Sequence, residues 1–367
     1  MPPITLLIKP ASGLCNMRCL YCFYADVAKS RTIPSYGIMD IGTLEIVVKK
    51  AVEYAGRSPV TFIFQGGEPA LAGLDFYRQL VMLEKKLGAY AYNSIQTNGL
   101  IIDGEWARFF AENRFLVGLS LDGTKQLHDS FRLDPEGRGT YARIKKAASA
   151  LKAAGAEFNI LCVVTSPLAR HGAQVVGTLI KDGYKYLQFI PCIDEPNGGT
   201  SAFSLTAERW GEFLCAVFDR YYAMIKIGAP ISIRPLDNFL ERLSGLVPSC
   251  CGFEGKCTPT LVIESDGSVY PCDFYALDEF RLGNIREASF AELLCSEPFL
   301  KFVAESEQVD PACAGCRWYA LCRGGCRRYR EQQIGGGLKL NKLCAGYRRF
   351  FEYAYPRMLK LLGYIRV

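Results

Sequence analysis

The segment Cys15-Asn-Met-Arg-Cys19-Leu-Tyr-Cys22 sets three thiols at the spacing Cys-x3-Cys-x2-Cys. Thiolates are metal ligands, and three of them leave a site one ligand short of closed. A structural zinc takes four ligands, and the chain has only two histidines, His128 and His171, both distant in sequence. A four-iron, four-sulfur cubane suits the trio better. Each thiolate holds one iron, and the fourth iron stays open to chelate the amino and carboxylate groups of a small molecule. A second set lies downstream: Cys250, Cys251, Cys257, Cys272, Cys295, Cys313, Cys316, Cys322, Cys326 and Cys344. Iron–sulfur clusters or a pair of zinc ribbons could use it.

The chain has 16 cysteines in 367 residues. The apolar run Met1–Lys9 is too short and wrongly flanked for a signal peptide, and no stretch reaches the roughly 18 apolar residues of a membrane span. A cytoplasmic protein without membrane attachment is expected, in which thiols serve metals or catalysis rather than disulfides. Two histidines also leave little for a His-rich metal site or a Ser-His-Asp hydrolase. The net charge of +6 is uneven: from Cys313 onward there are twelve Lys/Arg and two acids. A basic tail can signal nucleic acid, but neither a groove-reading motif nor an aromatic platform accompanies it, so none is expected. The arginines sit among cysteines, as in Cys322-Arg-Gly-Gly-Cys-Arg-Arg328. They either stabilise anionic clusters or form a solvated face.

The elements that must position these thiols follow from periodicity. β-rich runs at Thr5–Lys9, Val60–Phe64, Asn93–Thr97, Leu116–Leu121, Asn159–Thr165 and Leu187–Pro191 alternate with amphipathic stretches at Thr43–Tyr54, Phe76–Leu87, Glu105–Glu112, Tyr141–Ala153 and Ala173–Asp182. Such alternation builds a parallel α/β sheet, and six units make a partial (β/α)6 barrel. A helix at Ala207–Ile225 and a short run at Ile231–Arg234 complete residues 1–236. The texture then becomes cysteine-rich over 237–346, with a hairpin at Leu261–Tyr270 turning on Asp266-Gly267. Residues 347–367 read as a closing helix, Tyr347–Leu362.

The first motif, in the loop after the first strand, resembles that of the radical S-adenosylmethionine enzymes. Cys313-x2-Cys316-x5-Cys322-x3-Cys326, followed by Cys344, resembles their SPASM extension. Along nearly the whole chain, the segments Ile8-Lys-Pro-Ala-Ser12, Phe64-Gln-Gly-Gly-Glu-Pro69, Ser94-Ile-Gln-Thr-Asn-Gly99, Val117-Gly-Leu-Ser-Leu-Asp-Gly123, Phe158-Asn-Ile-Leu-Cys162 and Ser268-Val-Tyr-Pro-Cys-Asp-Phe274 resemble the anaerobic sulfatase-maturating enzymes. Ala70 and Leu100 depart from that pattern.

The resemblance implies three [4Fe–4S] clusters. Cys15, Cys19 and Cys22 would hold the first, Cys251, Cys257, Cys272 and Cys326 a second, and Cys313, Cys316, Cys322 and Cys344 a third. It further implies that Tyr21, Gly67, Ser120, Arg132 and Ile193 bind S-adenosylmethionine, and that Asp273 is a general base. The implied reaction is oxidation of a sulfatase Cys or Ser to Cα-formylglycine by a monomer fed by a donor such as flavodoxin or ferredoxin. The other five cysteines are Cys162, Cys192, Cys215, Cys250 and Cys295. Cys192 lies near the expected active site, and Cys250 could exchange roles with Cys251. A thioether-forming maturase and a non-catalytic electron carrier are the alternatives. Cys15 comes too early for a leader-binding domain to precede it, which favours the sulfatase substrate.

Overall fold

The computed structural model describes residues 1–365. Its strands, among the described residues, are β1 (Ile4–Ile8), β2 (Val60–Phe64), β3 (Ala91–Thr97), β4 (Leu116–Ser120), β5 (Phe158–Val164), β6 (Tyr186–Pro191), β7 (Ser232–Ile233), β8 (Thr260–Ile263), β9 (Ser268–Tyr270) and β10 (Gly283–Asn284). Each of the six expected β-runs is a strand, with ends shifted by no more than two residues. The chain divides into two compact units, each discontinuous in sequence.

The first unit comprises Met1–Ser120, Asp129–Phe158 and Pro259–Phe302. Its strands lie in the order β10-β9-β8-β1-β2-β3-β4, and β8, β1, β2, β3 and β4 run parallel. Pairing of Ile8 with both Phe64 and Ile263, of Phe64 with Ile95, and of Thr97 with Leu119 brings the carboxyl ends of these strands into line. Helices Ile41–Ala55, Leu74–Leu87, Gly104–Glu112 and Tyr141–Ala154 alternate with the strands. The first and third begin at N-cap carboxylates, Asp40 accepting from the Thr43 N–H and Asp103 from those of Glu105 and Trp106; each cap satisfies donors that the first helical turn leaves free. Phe64, Phe76, Tyr77, Trp106, Phe110 and Phe115 pack edge-on or tilted beneath the sheet. The β8–β9 hairpin turns where expected, with Gly267 at φ +86°. Its parallel pairing to β1, some 255 residues away, had no signal in the sequence.

The second unit comprises Leu121–His128, Asn159–Thr258 and Val303–Val367. Within it β5, β6 and β7 are parallel neighbours. Helices Ala207–Lys226 and Cys344–Ile365 pack on one another, and glycines let their backbones touch. A Cβ on Gly346 would stand 2.1 Å from the Ala207 carbonyl oxygen, and one on Gly211 would stand 2.9 Å from the Gly346 Cα. Trp210, Phe213, Phe218, Phe239, Phe350 and Phe351 fill the space around this crossing. The closing helix begins at Cys344 rather than Tyr347. Among the described residues no helix is long and apolar enough to cross a membrane.

One buried polar pair of the first unit makes a pH test. Asn93 Nδ2, on β3, donates to both oxygens of Glu84 at 3.0 and 3.1 Å, while Asn93 Oδ1 is buried with no partner. Burial, opposed by Asn93, pushes the Glu84 carboxyl up to about 7. The folded chain therefore holds a proton that the unfolded chain releases, and this contribution to stability is lost as pH rises from the ordinary carboxyl range through 7. Glu84→Gln supplies a permanent donor that Asn93 Oδ1 can accept once the amide turns over. The variant should gain on the wild type between pH 5 and pH 8, by on the order of 1–3 kcal/mol, in urea unfolding followed by circular dichroism. A difference that does not change with pH would exclude this account.

Candidate active site

Much of the candidate site in the first unit lies at the carboxyl ends of its parallel strands, where open α/β sheets carry their ligands. Lys9 follows β1, Gln65, Gly66 and Gly67 follow β2, Asn98 follows β3, and Ser120 ends β4. The Cys15–Cys22 loop leaves β1, and Cys22 caps helix Phe23–Lys29.

Close backbone approach holds that loop. Glu68 N–H donates to the Leu14 carbonyl at 2.7 Å. Gly67, at φ +52°, has no room for a side chain: a Cβ there would lie 2.2 Å from Leu14 O and 2.6 Å from Ser12 O. The far side of the loop is tied to the Arg132 segment, with Arg18 N–H on the Leu133 carbonyl at 2.7 Å and Leu20 N–H on that of Phe131 at 3.0 Å. The Arg132 guanidinium lies 5.4 Å from the centre of the Tyr21 ring, and both residues are buried. Ser120 Oγ accepts from Gln96 Nε2 at 3.2 Å. Ile193 belongs to the second unit, where its carbonyl accepts from the Cys192 thiol at 3.7 Å.

Cys15 Sγ accepts from the Met17 N–H at 3.4 Å and from Asn98 Nδ2 at 3.8 Å, and the Asn98 amide also reaches Asn16 Oδ1 at 2.7 Å. Burial pushes the Cys15 thiol up to about 12; Glu68, and then Cys19 and Cys22, add to the rise, while the Met17 N–H opposes it. A Cys15 thiol made costly to ionise by burial and by its two neighbouring thiols, with N–H groups already aimed at its sulfur, fits a cationic iron core. Glu68 is fully buried. It accepts from Ala70 N–H (3.0 Å), Thr97 Oγ1 (2.7 Å) and Asn98 N–H (2.7 Å), and burial still pushes its carboxyl up to about 7. The two departures, Ala70 and Leu100, act here through backbone N–H groups on Glu68 and Asn98, a role that does not depend on their side chains.

Asp273 begins a short 3-10 turn directly after Cys272, and Phe274 of that turn packs on Phe23 of the Cys22-capped helix, ring centres 4.9 Å apart. The Asp273 carboxylate pairs with the Lys9 ammonium and accepts from Gln65 Nε2 at 2.7 Å. Beside it Tyr24 donates to Glu264, which also takes Arg31 Nη1 at 2.5 Å. Burial, then Glu264, pushes the Tyr24 hydroxyl well up. Lys9, Gln65 and Asn98 lie in segments that carry the resemblance, but the sequence gives them no role of their own. Their shared signal is a polar residue immediately after an apolar strand.

In the second unit Cys313, Cys316, Cys322 and Cys344 line one cavity of about 340 Å³, with Trp318, Tyr347, Arg317 and Arg348 around them. Burial pushes the Cys322 thiol up to about 11, helped by Cys313, Cys344 and Cys316 and opposed by the Gly324 N–H. Cys326 is pushed up to about 12, by burial first and then by Cys257 and Cys250. Cys257 N–H donates to Ser306 Oγ at 2.8 Å. Cys250 moves the other way, down to about 6, chiefly through a hydrogen bond with Cys251 and against its burial. Among the described residues no group of three or more His, Cys, Asp or Glu could hold a single metal ion. In a cubane each thiolate binds a different iron.

Arg327, Arg328 and Arg330 are not a solvated face; Arg330 favours the ionised forms of Cys257, Cys313 and Cys326, and Arg327 that of Cys257. All three arginines are buried. Arg327 pairs with Glu331 and Glu305, Arg328 with the carbonyls of Asp194 and Glu195, and Arg330 with those of Ser306 and Gln308. They fasten the loops that carry the cysteines.

Residues 10–168 match the Radical SAM superfamily, and residues 251–317 match the iron-sulfur cluster-binding SPASM domain. The cysteine-type anaerobic sulfatase-maturating enzyme of Clostridium perfringens is 44% identical over 371 residues, covering 100% of both chains. The chain belongs to the anaerobic sulfatase-maturating enzymes. It is thus a radical S-adenosylmethionine enzyme. The serine-type enzyme of Bacteroides thetaiotaomicron is 30% identical, over 97% of this chain and 90% of its own. The solved structure of native anSMEcpe with bound AdoMet and Cp18Cys peptide superposes with a TM-score of 0.95 at 44% identity, covering 100% of each chain. The non-catalytic electron-carrier alternative falls with this membership.

Gly67 gives this maturating enzyme its most direct steric test. Gly67→Ala forces a Cβ into two carbonyl oxygens of the cysteine loop, so iron content should fall and S-adenosylmethionine binding by calorimetry should vanish, with helical content retained. Full iron and unchanged affinity would mean that the loop can yield.

Proposed function

We propose that the enzyme oxidises the cysteine of a sulfatase polypeptide to Cα-formylglycine, with Asp273 as the base that takes the thiol proton. The observation that carries this reading is the position of Asp273, on a turn packed against the helix that Cys22 caps. The eleven thiols named from the resemblance would hold three [4Fe–4S] clusters, Cys15, Cys19 and Cys22 leaving one iron for S-adenosylmethionine. Gly67, Ser120, Arg132, Tyr21 and Ile193 would hold that cofactor, Arg132 by a fork on its carboxylate. When bound, the pair supplies a 5′-deoxyadenosyl radical able to take a hydrogen atom from the substrate Cβ.

What the protein itself must then do is remove a proton. A thiol of ordinary pKa near 8.5 stays protonated at neutral pH, so loss of an electron from the Cβ-centred radical needs a nearby acceptor. The Asp273 carboxylate, about a tenth exposed, offers the lone pairs that Lys9 and Gln65 leave free. The electron would pass to the auxiliary cluster that Cys251, Cys257, Cys272 and Cys326 would hold, leaving a thioaldehyde, and water would complete the aldehyde with release of hydrogen sulfide. A cysteine substrate is favoured because identity to a cysteine-type enzyme is 44% against 30% for a serine-type one. Sixteen cysteines, none of them in a disulfide, suit a reducing cytoplasm, and a small donor such as flavodoxin or ferredoxin would feed a monomer.

Two measurements check this. Anaerobic incubation with paired peptides should convert the Cys peptide faster than the Ser peptide by mass spectrometry; the reverse order would make the enzyme serine-type. Asp273→Asn should still release 5′-deoxyadenosine and keep its iron, while aldehyde falls by about 10²–10⁴-fold. Full aldehyde formation by an iron-replete variant would remove Asp273 from the mechanism.

A further inference from the structure

Lys9 is fully buried, and it stands among the largest side chains with no exposure. Its ammonium meets Asp273 Oδ1 and lies 3.7 Å from the centre of the Tyr24 ring, within cation–π range. Gly66 makes room for it: at φ +108° a Cβ there would stand 2.7 Å from both Nζ and Cγ of Lys9. The first glycine of Gly-Gly-Glu-Pro therefore serves a lysine, whereas the second serves the cysteine loop. Tyr24, the other wall, is itself fixed through Glu264 and Arg31.

A buried ion pair is a poor device for stability, since desolvation offsets its attraction and well-packed apolar residues often do as well. The pair's value lies in where it puts Asp273. Lys9 occupies Oδ1 and Gln65 Nε2 occupies Oδ2 at 2.7 Å. With one fixed donor on each oxygen the carboxylate cannot turn about its bond. Each oxygen keeps a further lone pair, on a side chain that, unlike Lys9, retains some exposure. We propose that Lys9 is a positioning residue, which clamps the Asp273 carboxylate with Gln65 and aims its free lone pairs at the incoming thiol. This rests on the reading of Asp273 as the base. Lys9 donates a hydrogen bond throughout and keeps its own proton; the thiol proton goes to Asp273.

The test uses the reconstituted enzyme and Lys9→Met, which keeps length and removes the charge and the donors. Radical generation should persist, so 5′-deoxyadenosine still forms, while aldehyde per 5′-deoxyadenosine falls on the order of 10–100-fold, the scale of a misplaced reacting group. Lys9→Gln restores a donor without the charge and should recover part of that ratio, which a merely structural lysine would not do. It also serves if Lys9→Met fails to fold. Combining Lys9→Met with Asp273→Asn should cost no more than Asp273→Asn alone. In the cluster-free protein, the carboxylate infrared band isolated as wild type minus Asp273→Asn should shift in Lys9→Met. Wild-type coupling in Lys9→Met, or losses that add to those of Asp273→Asn, overturns the proposal while leaving the base intact. Full product from Asp273→Asn instead sinks the base reading, and an unshifted infrared band then sinks the clamp as well.

Discussion

Two ion pairs are buried where β1 and β8 end, Lys9 with Asp273 and Arg31 with Glu264, and neither cation has any side-chain exposure. Removing one partner of such a pair leaves a charge that the interior cannot solvate, a cost of roughly 3–5 kcal/mol. The register of β1 against β8 is thereby constrained beyond what backbone hydrogen bonds require. A slip by one residue would turn every side chain to the opposite face and strand both charges. Tyr24 joins the pairs, its ring against the lysine and its hydroxyl on the glutamate. The helix carrying it starts at Cys22, so the same charges that lock the strands also fix the cysteine loop.

The cysteines of the second unit are held differently. Sequence-adjacent turns supply Cys313, Cys316 and Cys322, and Cys344 comes from the start of the last helix. That helix is placed by a glycine crossing, a hard steric contact rather than an electrostatic one. Buried arginines then close the intervening loops on carbonyl oxygens. Thiols and cavity are therefore set by packing, which spares a bound cluster the work of ordering the chain.

Much of this was legible before folding. Strand positions follow from β-branched and aromatic runs such as Val60–Phe64, where period and composition agree. The Gly-Gly-Glu-Pro and Thr-Asn-Gly segments marked the ends of β2 and β3. What stayed hidden depends on contacts between distant segments. Nothing local to Lys9 says that its partner is residue 273, because a lysine after a strand ordinarily reaches solvent. The parallel addition of β8 beside β1 was equally silent, since a hairpin's own sequence records its turn and not its next neighbour. For Arg327 and Arg328 the sequence left open a solvated face or cations beside clusters, because composition does not report burial.

The insertion of β8 at the edge of β1 has a consequence for biosynthesis. Synthesis proceeds from the amino terminus, and domains ordinarily fold as their last residues emerge. Here the first cysteine motif ends at Cys22, yet the strand that flanks it and the anion that neutralises Lys9 come after residue 259. Until then a nascent chain carries an open sheet edge and an unpaired lysine beside three reduced thiols. Such an edge is a template for wrong pairing, and contacts so remote in sequence form slowly. Iron delivered to the emerging motif would meet an unfinished site until β8 and Asp273 have joined it.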